Sequence, residues 1–196
     1  MKVVIIDYGA GNVKSVQYAF NRIGVSTTLS AQKQAIENAD KVIFPGVGAA
    51  AAAMDELGKL DLIKTIRNLK QPVLGICLGM QLLAEYSEEG ETNGLGILKG
   101  NVRRFNAASL KVPQMGWNKL NVGDSKLFSG LESDFVYYVN SYYLPVNKEY
   151  TVGVSEYGVN ITGAIEKNNF YGCQFHPEKS GEFGEKILKN FIELCD

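Results

Sequence analysis

Histidine is almost absent from this chain: His176 is the only one among 196 residues. Cysteine is scarce too. Cys77, Cys173 and Cys195 are odd in number and widely separated, which argues against a disulfide framework and fits a reducing, cytoplasmic setting. With one imidazole and no C-x-x-C pair, a zinc site of the usual kind has too few ligands. No charge excess exists either, since 20 Lys+Arg against 21 Asp+Glu leave a net charge of −1. A dedicated nucleic-acid binder normally shows a basic stripe, so none is expected. Apolar runs stay far short of the ~18 residues of a membrane span. The four apolar residues of Val3-Val-Ile-Ile6 are too few for a signal-peptide core of about 7–15. No membrane association is expected.

Glycine, by contrast, is abundant at 21 residues, and it gathers where apolar runs end. Val3–Ile6 is continuous rather than alternating, as in a strand buried on both faces of a parallel sheet. Val13, Val16, Ala19, Phe20 and Ile23 then mark one helix face, and Gly24 supplies a stop. The unit recurs. Lys41–Phe44 precedes Pro45-Gly-Val-Gly48 and an alanine-rich helix over 49–57. Leu62, Ile63, Ile66 and Leu69 give another helical face, and a third strand, Pro72–Cys77, runs directly into a helical segment over 78–84. Strands alternating with helices predict a parallel sheet with helices on both faces. From about residue 97 the texture changes to short β-branched and aromatic runs, read as strands and hairpins. A last strand over 170–175 precedes a closing amphipathic helix marked by Phe183, Ile187, Leu188, Phe191 and Ile192. One α/β domain, 1–196, is expected, with a central mostly parallel sheet flanked by helices and an antiparallel β addition.

Gly75-Ile-Cys-Leu-Gly79 has the form of a nucleophile elbow with cysteine at its centre. Glycines two residues either side remove Cβ atoms that would clash at a sharp strand-to-helix turn. The thiol then meets the positive end of the following helix. A buried structural cysteine is the plain alternative. His176 ends another apolar run and opens His176-Pro-Glu-Lys179. In an extended chain residues i and i+2 share a side, so Glu178 is placed to orient the imidazole. A nucleophile, a base and an orienting acid are thus available together. Pro45–Gly48 ends the strand before the elbow, where its N–H groups, with that of Leu78, suit an oxyanion; an ordinary loop is the alternative.

Other motifs fail. Gly9-Ala-Gly11 follows the first strand, but Lys14 stands where a dinucleotide fingerprint needs its third glycine. No P-loop pattern occurs. Tyr137, Tyr138, Tyr142 and Tyr143 fit sheet surface and core better than a base-stacking platform.

Taken together, Pro45–Gly48, Gly75–Gln81 and Gln174-Phe-His-Pro-Glu178 resemble the class I glutamine amidotransferase family, in the same order over essentially the whole chain. Within it, Asp7–Asn12, Pro113–Asn118, Asn140–Tyr143 and His176–Ser180 resemble glutaminase subunits that serve histidine biosynthesis. The resemblance implies a flavodoxin-like domain in which Cys77 attacks glutamine, His176 moves the proton and Glu178 holds the imidazole. It implies oxyanion donors at Leu78, Val47 and Gly48, and glutamine contacts at Gly46, Gly48, Gln81, Ser141 and Tyr142. It also implies a heterodimer with a (β/α)8-barrel cyclase, contacted by Asn12 and Lys179. Ammonia would pass to that cyclase, which makes imidazole glycerol phosphate and aminoimidazole carboxamide ribotide. No metal or organic cofactor is implied. A paralogous subunit feeding another synthase, such as a sugar amidotransferase, is the alternative. Two departures stand out: Gln114 and Asn140 occupy positions where many members carry histidine.

Overall fold

The computed structural model describes residues 1–9 and 11–195. Ala10 of the Gly9-Ala-Gly11 stretch and Asp196, the end of the expected domain, lie outside the described residues. The chain begins with β1 (Val3–Ile6), α1 (Val13–Arg22), β2 (Thr27–Ser30), α2 (Lys33–Glu37) and β3 (Lys41–Gly46). It continues through α3 (Ala50–Lys59), α4 (Ile63–Asn68), β4 (Val73–Cys77) and α5 (Leu78–Gln81). A strand-rich stretch follows: β5 (Ala84–Ser87), β6 (Thr92–Asn93), β7 (Leu98–Arg104), β8 (Gln114–Val122), β9 (Asp134–Asn140) and β10 (Tyr142–Tyr143). The last elements are β11 (Thr151–Glu156), β12 (Asn160–Lys167), β13 (Phe170–Cys173) and α6 (Gly181–Leu194).

Nine strands form one sheet in the order β2-β1-β3-β4-β13-β12-β11-β8-β9. The half from β2 to β13 is parallel throughout. From β13 to β9 every pairing is antiparallel. The antiparallel addition is therefore continuous with the parallel centre, and the sheet is mixed. β13 is the joint: it is parallel to β4 and antiparallel to β12. Alternation along β1 explains the two cores. Val4 and Ile6 pack with residues of α2, α3 and α4, while Val3 and Ile5 pack with those of α1 and α6. A strand covered on both faces has no polar side, which is why its sequence is unbroken apolar.

Two local expectations are corrected, and a second sheet adds to what was expected. The helix expected over 78–84 stops at Gln81, and Ala84 already opens β5. The Glu178 side chain reaches His176 through a 3-10 turn over Pro177–Lys179, not through an extended segment. A separate four-stranded sheet, β10-β7-β5-β6, lies outside the large one.

Candidate active site

Cys77 is the last residue of β4, with φ 53° and ψ −111°, a region that costs a non-glycine residue about 1–3 kcal/mol. The flanking glycines make the turn possible. A Cβ at Gly75 would sit 2.9 Å from the Met80 backbone, and one at Gly79 only 1.8 Å from the Phe44 carbonyl oxygen. No side chain fits at either place, so α5 can fold tightly back over β3 and β4.

His176 lies just beyond β13, the strand beside β4. Its backbone is clamped. The His176 N–H donates to the Tyr137 carbonyl at 2.9 Å, and the Ser180 hydroxyl donates to the His176 carbonyl at 2.7 Å. Ser180 Oγ also accepts from the Tyr137 N–H at 3.0 Å, tying the turn to β9. His176 Nδ1 is 2.8 Å from Glu178 Oε1. A carboxylate can only accept, so the proton sits on Nδ1 and Nε2 faces the sulfur. Burial works against a charge on this imidazole, but hydrogen bonds and charge from Cys77 and Glu178 outweigh it and push His176 up to about 10. All three side chains are buried.

Cys77 and His176 line a cavity of about 330 Å³, whereas Glu178 lies outside its lining. Val47, Gly48, Leu78, Gln81, Ser141, Tyr142 and Lys179 also line it. Gly46 does not. It pairs with Cys77 in the sheet and lies behind the elbow, where a Cβ would come within 2.6 Å of Tyr8 Oη. That phenol donates to the Pro45 carbonyl at 2.8 Å, bracing the start of the Pro45–Gly48 segment. Burial, with the neighbouring Cys77, holds it well above its usual range, so it stays a donor. Gly48 has φ 95° and no atom near its missing Cβ. Asn12 does not line this cavity but a smaller one with Val47, His176 and Glu178, and its side chain accepts from the Ser15 N–H at 3.3 Å and caps α1. Lys179 Nζ stands 5.9 Å from the centre of the Tyr137 ring.

One charged cavity residue escaped the sequence reading. Glu89 lines the wall and accepts from the Ala50 N–H at 2.9 Å. Burial raises its carboxyl above the ordinary value, partly offset by that bond. Nothing in Glu88-Glu-Gly-Glu91 marks which acid faces inward. Among the described residues no group of three or more His, Cys, Asp or Glu side chains is arranged to hold a metal.

A cysteine at a strained elbow and a carboxylate-bonded imidazole thus lie together in one cavity of an α/β sheet, an arrangement with the chemistry for thiol-dependent acyl transfer. The model of the glutamine amidotransferase class-I family matches residues 4–194, and the chain belongs to that family. Two solved structures share its fold: a glutamine amidotransferase (TM-score 0.76, 18% identity, 98% of each chain) and the glutaminase domain of Trypanosoma brucei CTPS with bound acivicin (TM-score 0.67, 15% identity, 98% of this chain and 94% of that one). Sequence similarity is closer to a narrower group. The imidazole glycerol phosphate synthase subunit HisH of Bacteroides thetaiotaomicron is 49% identical over 99% of this chain and its own full length. That of Haemophilus influenzae is 49% identical over 98% of both chains. Within the family, the chain falls with these HisH glutaminase subunits of histidine biosynthesis.

Proposed function

We propose that residues 1–196 form one glutaminase domain in which Cys77, His176 and Glu178 hydrolyse glutamine and hand its ammonia to a partner cyclase. The observation that carries this reading is that the Cys77 elbow and His176, held by Glu178, line one cavity. The Cys77 sulfur attacks the side-chain carboxamide, forming an S–C bond, while His176 returns a proton to the nitrogen, which leaves as ammonia. Water then cleaves the thioester to glutamate, with His176 taking its proton. Leu78, Val47 and Gly48 supply backbone N–H groups to the oxyanion. Gln81, Ser141 and Tyr142 hold the amino-acid head, and the Glu89 carboxylate suits its ammonium group.

The receiving partner is a (β/α)8-barrel cyclase, which uses the ammonia to make imidazole glycerol phosphate and aminoimidazole carboxamide ribotide. A docking face beside the cavity supports a partner. Met115, Trp117 and Phe135 are large, exposed and on one side of the β8–β9 pair. Trp117 meets Tyr137 edge-on at 6.0 Å, and Tyr137 leads to Lys179 at the cavity wall. Exposed aromatic clusters of this kind mark interfaces. Asn12 and Lys179 extend the contact, with Lys179 meeting a partner carboxylate. Three buried free cysteines support a reducing, cytoplasmic location.

The isolated chain is then a poor glutaminase. Loss of one oxyanion donor costs about 10²–10³ in rate, and the glycines of Pro45–Gly48 let its N–H groups turn away. Glutamine turnover is measured for the chain alone, with the cyclase, and with the cyclase and its nucleotide ligand. Stepwise acceleration supports the reading. Equal rates refute coupling, and activation only by a different synthase selects a paralogous role.

A further inference from the structure

The carbonyl oxygen of Tyr142 accepts two amide hydrogen bonds, from Asn140 Nδ2 and from Gln81 Nε2, both at 2.9 Å. An oxygen without hydrogen can only accept, so this contact fixes which way round the Gln81 amide lies. The second hydrogen on Gln81 Nε2 goes to Gln174 Oε1 at 2.8 Å. That bond fixes Gln174 in turn and leaves its Nε2 facing Cys77 Sγ at 3.8 Å. The Gln81 amide therefore donates both ways, to the backbone carbonyl on one side and to Gln174 on the other, and Gln174 in turn donates to the sulfur. Gln174 is fully buried, and it stands directly after β13, two residues before His176.

We propose that Gln174 is a positioning residue for Cys77, donating an N–H to the sulfur and holding it toward the cavity. The proposal rests on Cys77 being the nucleophile. A donor that the sulfur need not share with His176 favours the anion over the thiol, because an anion accepts such a bond more strongly. Both hydrogens of Gln81 are already used, so only its carbonyl oxygen remains for a ligand in the cavity that it lines. The group that contacts substrate is thereby linked through one amide to the group that attacks it.

The test is alkylation by iodoacetamide from acid to alkaline pH in wild type, Gln174→Leu and Gln174→Glu. Labelled peptides are identified by mass, and glutamine kcat and KM are measured beside them with the activating partner present. Cys173 and Cys195 compete poorly, since both are buried and burial raises both thiols, Cys195 to about 12. In Gln174→Leu the acid limb of Cys77 labelling moves to higher pH and kcat falls about ten- to a hundredfold, the range for a lost hydrogen bond to a charged group. Gln174→Glu keeps the acceptor for Gln81 and nearly the same volume, but it sets a carboxylate oxygen against the sulfur, so its limb moves further. It also serves if the leucine variant does not fold. A wild-type labelling profile in whichever variant folds overturns the proposal, whatever happens to kcat, because lost packing slows turnover without moving the limb. Glutamine turnover surviving in Cys77→Ala would instead remove the nucleophile assignment, and that outcome is read separately.

Discussion

Gln114 and Asn140 stand directly opposite one another on β8 and β9, both buried in the strand pair that walls the cavity. They are the two positions that the sequence reading singled out as departures, and the structure makes them neighbours. Asn140 spends its Nδ2 on the Tyr142 carbonyl, but its Oδ1 and both polar atoms of Gln114 have no protein partner.

Their different bonding gives the first prediction. Replacing an unsatisfied buried amide by an apolar group of similar shape is neutral or stabilising, whereas removing a bonded one is not. Gln114→Leu is expected to match or exceed wild-type stability by about 1 kcal/mol, and Asn140→Leu to lose about 1 kcal/mol. Urea unfolding checks both, and a reversed order would contradict the bonding described.

Cys77 separates stability from activity. Its φ of 53° suits glycine better than any other residue. Cys77→Gly is therefore expected to be more stable than Cys77→Ala by about 1 kcal/mol, once strain relief is set against the extra unfolded-state entropy of glycine. Both should lack glutaminase activity, while Cys173→Ala keeps it. Paired thermal melts and an ammonia-release assay decide the matter.

The pH dependence of stability has a definite sign. His176 is raised from 6.5 to about 10, as hydrogen bonds and charge from Cys77 and Glu178 overcome the opposing effect of burial. A raised folded value means that protonation favours the folded chain. That contribution is complete below pH 6.5 and is lost as the pH climbs through about 10. The Tm difference between wild type and His176→Asn should be widest in acid and shrink toward pH 10. A constant difference would show that the imidazole holds no such proton.

Gly79 is expected to tolerate nothing. A Cβ there meets the Phe44 carbonyl at 1.8 Å, a backbone atom with no rotamer to yield. Gly79→Ala should cost about 3 kcal/mol or more, at the upper end of single-substitution effects. Gly48→Ala meets no atom and should lose only the roughly 1–3 kcal/mol of its unusual φ. Soluble yield and melting temperature distinguish the two.

The parallel half of the sheet was legible because burial on both faces writes an unbroken apolar run, as in Val3–Ile6 and Val73–Ile76. The elbow was legible for a similar reason: sterics at Gly75 and Gly79 leave one residue type. Length was harder. Leu78–Ala84 is apolar but for Gln81, and a run buried on every side carries no period to say where α5 yields to β5. β2, an edge strand with half-exposed Thr27 and Ser30, gave no apolar signal at all. The turn at Pro177 replaced the expected extended segment, yet it delivered the same neighbour to His176, because three residues suffice to bring Glu178 back. Glu89 was invisible since its role depends on α3, a distant helix whose first N–H it meets.

The position of β13 bears on the order in which a ribosome delivers this enzyme. β4, with its cysteine, leaves the exit tunnel early. The strand that must slot between β4 and β12 comes after every other strand, and His176 follows it. Until then β4 is a raw sheet edge, and under the proposed mechanism the sulfur has no base, so a chain terminated before β13 would spend no glutamine. Competence arrives together with closure of the sheet, and not before β13 has been made.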